Sequence, residues 1–256
     1  MKIHITDGKK YLALFIVFSF FLCATLTALI ALGARTVKSH SDNENTSHHE
    51  SQSEDTPLYS PVVVIDAGHG GEDGGTVGVN GVFEKDINLS VALALDKALK
   101  DMGVTTLLTR DEDILLYDRN SDHKGQKKAQ DLAARRKIAE ECENAIFVSI
   151  HMNSFPEEKY KGLQVYYSEN NESSLALAKK IQDMISKELQ PDNTRQCKSG
   201  KSIYLMERLS CPAVLIECGF LSNNEECANL SDEGYQKELT ALLARAIYEH
   251  IESTRP

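Results

Sequence analysis

The chain has 256 residues, 41% hydrophobic and 26% charged, with a formal net charge of −10. That length accommodates one domain or two, and the composition excludes a collagenous or wholly disordered chain. The acidic balance excludes a global basic field, so no nucleic-acid partner is expected.

Residues 1–10 form a short tail that ends in Lys9 and Lys10. From Tyr11 to Ala34 there is no charge (YLALFIVFSFFLCATLTALIALGA). A helix over this stretch would be about 36 Å long, enough to cross the hydrocarbon core. It exceeds the roughly 7–15 apolar residues of a cleaved signal peptide. The segment therefore predicts a transmembrane signal-anchor, although Ala31-Leu32-Gly33 offers small residues where cleavage would release the rest. Cys23, in the run FFLC, lacks a lipobox context. A short N-terminal tail stays inside, which places the larger part outside the cytoplasm. Residues 35–57 are polar and poor in apolar side chains and read as a flexible linker. His40, His48 and His49 fall there and read as solvated tether residues.

Residues 58–256 alternate short β-branched runs with helical patterns. PVVVIDAG is a buried strand ending in a Gly turn. A helix is expected from Asp86, as N-cap, to Met102, stopped by Gly103. VTTLLTR is the next strand, Lys127–Glu143 a helix, AIFVSIHMN a strand and GLQVYYS another. A helix from Glu172 to Leu189 is stopped by Pro191, PAVLIECGFLS is a further strand, and Tyr235–Glu252 is a last helix. This order predicts one α/β domain with a twisted, mainly parallel sheet flanked by helices.

Six cysteines stand at 23, 142, 197, 211, 218 and 227, with no C-x-x-C. This spacing suggests neither a zinc ribbon nor a thioredoxin-type pair, and buried thiols are the simplest reading. Cys197 and Cys211 are one candidate disulfide pair.

Three strand ends carry polar groups that do not belong in a core: His69 in IDAGHGG, His151 in VSIHMNS and Glu217 in LIECGF. Sites in open α/β sheets form at the carboxyl ends of strands. Two imidazoles and a carboxylate delivered to one edge suit zinc, which needs three protein ligands, an open position and a nearby base to act as a hydrolase. On spacing, Glu72 (His69-Gly-Gly-Glu72) and Glu84 compete for the third ligand position. Glu84 lies where a Gly-rich loop could fold it back towards His69, leaving Glu217 as base. Each histidine alone reads more simply as a satisfied core residue. Glu217 is harder to explain that way, because an unpaired buried carboxylate is expensive.

The segments VVVIDAGHGGEDGG…FEKDINL, DLAARRKIAEE…AIFVSIHMNSF and SIYLMERLSCPAVLIECGFLSN resemble the zinc N-acetylmuramoyl-L-alanine amidases of the AmiC/LytC type. The likeness covers about residues 61–250 and involves several ordered motifs. Together with a single anchor, the absence of wall-binding repeats and the run TRQCKSGKSIYLMERL, it is nearest to the spore-specific CwlD-type branch. The resemblance implies one zinc ion on His69, Glu84 and His151, with Glu217 as the catalytic carboxylate. It implies hydrolysis of the amide between N-acetylmuramic acid and L-alanine, in spore cortex, ahead of a deacetylase that makes muramic δ-lactam. A requirement for an activating protein stays open. Cys218, next to Glu217, should point to the opposite side of its strand. Arg135, Arg136 and Arg195 are candidates to meet the acidic stem peptide, with solvated helix or loop charges as the simpler reading, and His123 reads as a solvated residue in a loop that varies within the family. A zinc carboxypeptidase using Glu72 and a non-catalytic wall-binding protein are the competing readings.

Overall fold

Val62–Ala67 forms β1, whose side chains are buried on both faces apart from partial exposure of Val62. Such a run belongs at the centre of a sheet. The computed structural model describes residues 61–118, 120 and 125–255. The tail, the 11–34 segment, the linker with its three histidines, and His123 lie outside the described residues. Among the described residues no helix is long and apolar enough to cross a membrane.

Six strands form one sheet in the order β2-β1-β3-β6-β4-β5. They are β1, β2 (Thr105–Leu108), β3 (Ala145–Asn153), β4 (Gln164–Tyr167), β5 (Lys198–Ser199) and β6 (Ala213–Phe220). Pairings β1–β2, β1–β3, β3–β6 and β4–β5 are parallel, whereas β4 runs antiparallel to β6. The sheet is therefore mixed: parallel through its centre, with one reversal at β4.

The helices are α1 (Glu84–Asp101), α2 (Lys127–Glu140), α3 (Glu172–Glu188), α4 (Tyr204–Arg208), α5 (Asn224–Leu230) and α6 (Glu233–Thr254). Strand alternation divides the core in two. Val63, Ile65, Ile146, Val148, Val214 and Ile216 face a cluster with Leu95 of α1, Ile181 of α3 and Leu243 of α6. Val64, Phe147, Ala213 and Leu215 face the other way, onto Ala139 of α2 and Leu205 of α4. Ile87, Val91, Leu95 and Leu99, four residues apart, form the buried stripe of α1.

Helix α1 begins two residues before the expected Asp86. Its N-cap is Phe83, which makes no side-chain cap. The Gly-rich loop replaces the cap: the Glu84 N–H donates to the Thr76 carbonyl at 2.9 Å and the Lys85 N–H to the Gly74 carbonyl at 3.2 Å. The stop is where Gly103 places it, at φ +80°. Periodicity missed α4, α5 and β5, which are too short to show a period.

All five described cysteines are free thiols. Cys197 packs on the α1/α3/α6 core and Cys211 on the α2/α4 core. The sheet stands between them, so the Cys197–Cys211 pair does not form.

Candidate metal centre

The central strands β1, β3 and β6 are neighbours running the same way, so their carboxyl ends open onto one place. His151 and Glu217 are register partners on β3 and β6. Both share the face of Phe147 and Leu215, under α2 and α4. Cys218 points into the opposite core and is fully buried there, as the alternation requires.

His69 lies two residues beyond β1 in a left-handed conformation, φ 60°. A non-glycine residue there costs on the order of 1–3 kcal/mol and persists only when its surroundings impose it. Here Arg135 Nη2 donates to the His69 carbonyl at 2.7 Å, and the Gly68 N–H donates to the Ile150 carbonyl at 3.1 Å. The ring Nδ1 lies 3.0 Å from Asp73 Oδ1, leaving Nε2 directed at Glu84.

Glu84, delivered by the first turn of α1, is buried. Its Oε1 lies 3.2 Å from His69 Nε2 and 3.0 Å from His151 Nδ1. Backbone N–H groups hold the carboxylate from both sides: Thr76 N–H donates to Oε2 at 2.9 Å and Met152 N–H to Oε1 at 3.2 Å. One ligand atom from each of His69, Glu84 and His151 lies within 4.8 Å of the others. The imidazole centroids are 5.0 Å apart.

Two glycines make room for this cluster. A Cβ at Gly68 would stand 2.3 Å from the His151 ring. At Gly75, with φ +66°, it would stand 2.6 Å from Glu84 Oε2 and 2.8 Å from His69 Cδ2.

A buried network supports the loop from beneath. Asp66 accepts from Thr109 Oγ1 at 2.8 Å, Ser149 Oγ at 2.6 Å and Arg135 Nη1 at 2.6 Å. Arg135 also pairs with Asp131 at 2.8 Å. Arg110 spends its donors on the carbonyls of Ala67, Gly68 and Lys85. Asn88 donates to the Gly68 carbonyl at 3.1 Å. None of Asp66, Asn88 or Arg110 was singled out from sequence. Asp66 carried the same signal as Glu217, a carboxylate ending a VVVI run.

The electrostatics follow from burial and neighbours. Burial would raise the Glu84 carboxyl, but hydrogen bonds and charge from His151 and His69 outweigh it and hold Glu84 far below the usual carboxylate range. Burial lowers His69, while Glu84 and then Asp73 raise it, for a net upward shift. Glu217 moves the other way. Burial pushes its carboxyl up, Glu84 adds to this, and the two histidines oppose it. Its Oε2 is buried without a hydrogen-bond partner.

Other sequence candidates fall elsewhere. Glu72 is exposed and paired with Lys127 at 2.5 Å, outside the cluster. Arg135 is buried in the network above, so it does not face a substrate. Arg136 is paired with Glu140 at 2.7 Å. Arg195 lies beside the β4–β6 edge. Beside His69 and His151, a cleft of about 190 Å³ runs between α2 and α4, walled by Leu132, Ile203, Tyr204 and Leu205.

The sequence profile described as "N-acetylmuramoyl-L-alanine amidase" (Amidase_3) matches residues 63–249, a span that includes every residue of this cluster. The chain belongs to that family. As a member it hydrolyses the amide that joins N-acetylmuramic acid to L-alanine in peptidoglycan. Among similar proteins, the germination-specific N-acetylmuramoyl-L-alanine amidase of Bacillus subtilis is 34% identical over 195 residues, 76% of this chain and 81% of that one. The CwlD amidase of Clostridioides difficile, solved in complex with the GerS lipoprotein, is 36% identical with a TM-score of 0.72, covering 76% of this chain and 100% of that one. The catalytic domain of the amidase CwlV of Bacillus (Paenibacillus) polymyxa is 34% identical with a TM-score of 0.62, covering 75% and 98%.

Proposed function

We propose that His69, Glu84 and His151 hold one zinc ion, that Glu217 carries the proton during amide hydrolysis, and that the enzyme works on spore-cortex peptidoglycan from a membrane anchor. The observation that carries this reading is the orphaned Glu217 Oε2, buried on the strand next to His151.

The residues fit the metal. Two imidazoles and a carboxylate are a zinc donor set of the kind that leaves a fourth position open. Their acceptor atoms converge on one point, and Asp73 and the Thr76 N–H orient them in the manner expected of groups behind a metal ligand. Bound zinc supplies a water of pKa about 7 and a positive charge against the carbonyl oxygen.

The chain's own groups do the rest. Glu217, raised by burial, is suited to take a proton from the attacking water and return it to the departing L-alanine nitrogen. The largely buried setting of Glu217 strengthens each of these interactions. The products are a peptide-free muramic acid and an intact stem peptide, and the former is what a deacetylase partner would convert to muramic δ-lactam.

Residues 1–10 are proposed as a cytoplasmic tail, 11–34 as the transmembrane anchor, 35–57 as a linker and 58–256 as the catalytic domain outside the cytoplasm. The charge-free length of 11–34 supports this. The cortex assignment is supported by likeness to the germination-specific amidase of B. subtilis. Likeness to a C. difficile amidase solved with a lipoprotein supports a protein partner of that kind.

The test is digestion of purified cortex and vegetative peptidoglycan by the full chain in detergent with zinc, with fragments identified by mass spectrometry. Bare glycan strands plus intact stem peptides, absent with Glu217→Gln, are expected. Shortened peptides still attached to glycan would instead mark a carboxypeptidase.

A further inference from the structure

Arg195 lies in the loop between α3 and β5, against the edge of β6. Its guanidinium carbon sits 4.5 Å from the Phe220 ring centroid. Phe220 stacks with Tyr160, centroids 6.3 Å apart, and Tyr160 meets Phe155 edge-on at 4.6 Å. Phe155 is 45% exposed. Phe220 itself is buried beneath the guanidinium, so Arg195, Tyr160 and Phe155 form the accessible part of this cluster, beside the carboxyl end of β6.

The guanidinium is fixed but not neutralised. Nε donates to the Lys161 carbonyl at 2.7 Å and Nη1 to Gln164 Oε1 at 3.2 Å. Both acceptors are uncharged, and among the described residues no carboxylate lies within salt-bridge distance of Arg195. Glu226 is near enough to feel it, but that carboxylate already accepts the Gly162 N–H at 2.8 Å and the Phe220 N–H at 2.7 Å. A guanidinium with a free edge, stacked on an aromatic ring, is preorganised for an anionic partner.

Position ties this group to the reaction. Gln164, which holds Arg195, is the register partner of Glu217. A side-chain hydrogen bond thus ties Arg195 to the residue opposite Glu217, and Tyr166 on the same strand feels the charges of both. The cleft on the other side of the histidines differs. Its walls are largely apolar, and its basic groups are already paired: Arg135 with Asp66 and Asp131, Lys128 with Asp73.

We infer that Arg195 is a specificity-determining residue that binds a carboxylate of the stem peptide, so that the acidic peptide leaves the site past Arg195, Tyr160 and Phe155 while the uncharged glycan takes the apolar side. This rests on the amidase reading above.

The test uses the full chain loaded with zinc and two synthetic muramyl peptides, identical except that the carboxylate of the residue after L-alanine is free in one and amidated in the other. The wild-type chain should prefer the free carboxylate in kcat/KM by about tenfold or more, the scale of a charge-assisted hydrogen bond. Arg195→Gln should erase that preference through KM, leaving the amidated substrate within about twofold. Arg195→Lys should restore part of it. Calorimetric binding of the free acidic peptide should weaken in parallel in Arg195→Gln, a readout independent of turnover. Equal losses on both substrates, or a preference that survives Arg195→Gln, would overturn the assignment. If the wild-type chain cleaved neither substrate, the site reading above would fall, and the calorimetry would still distinguish that failure from failure of the carboxylate contact.

Discussion

Arg135 and Asp66 meet at 2.6 Å with both side chains out of solvent, and the same guanidinium grips the carbonyl of His69. A charge pair inside the sheet–helix layer thus sets the backbone on which one of the three clustered side chains is mounted. Removing Arg135 strands both Asp66 and Asp131 and releases the left-handed turn. Arg135→Met should cost about 3–5 kcal/mol in urea unfolding. Arg135→Met with Asp66→Asn should recover part of that stability, Asp131 still lacking its partner, without recovering zinc binding, because the His69 carbonyl stays ungripped. Full recovery of zinc affinity by the double variant would count against this coupling.

The same pair sets an acid limit. Burial raises the Asp66 carboxyl, but Arg135 and the hydrogen bonds from Ser149, Arg135 and Thr109 more than offset it, so its folded-state pKa lies below the ordinary 3.8. Between those two values the unfolded chain binds more protons than the folded one. The stabilisation is complete above the ordinary value and is lost as pH falls below it towards the folded value. Urea midpoints followed from pH 6 to pH 2 should drop more steeply in the wild-type chain than in Asp66→Asn.

Gly75→Ala puts a methyl group 2.6 Å from Glu84 Oε2 at a backbone position of φ +66°. Zinc affinity, measured by competition with a chromogenic chelator, should fall about 10- to 100-fold, as when groups orienting metal ligands are disturbed. Gly81→Ala is the control. It has a positive φ, +87°, but nothing within 4 Å of the new Cβ. It should lose some stability and keep its zinc.

Glu84→Gln and His151→Ala should abolish stoichiometric zinc by elemental analysis. Glu217→Gln should keep zinc and lose about 10²- to 10⁴-fold in kcat. Glu72→Ala touches only a surface pair and should leave zinc and kcat/KM within about twofold. Loss of metal in Glu72→Ala would revive the carboxypeptidase reading.

Stripping the metal should also be visible without substrate. At free zinc of about 100 times Kd, binding adds about 2.7 kcal/mol to folding. A chelator should therefore lower the melting temperature of the wild-type chain and leave His151→Ala unmoved.

The strand ends were legible because β-branched runs that stop on His69, His151 and Glu217 break the apolar pattern at one topological edge. The reversal of β4 was not legible, since GLQVYYS reads the same in either direction. The burial of Arg135 is hidden for a related reason. In DLAARRKIAEE the helical pattern shows three adjacent cations on a polar stretch, and only the fold reveals that Asp66 and Asp131 lie beneath one of them. The start of α1 is not legible locally, because its first N–H groups are met by carbonyls of the Gly-rich loop rather than by a side-chain cap.

Glu217 and Cys218 occupy opposite sides of β6. Slipping that strand by one residue against β3 would present either a fully buried thiol or Ile216 at the mouth of the site, and would push the carboxylate into hydrocarbon. Insertions and deletions should therefore divide sharply by place. Around Gly103, where a new side chain meets nothing within 4 Å, an extra residue is a local matter. In the Leu209–Pro212 turn that feeds β6, a single added or missing residue that shifts the strand changes its parity, and the chain would lose its proposed proton carrier while keeping every amino acid the proposed chemistry requires.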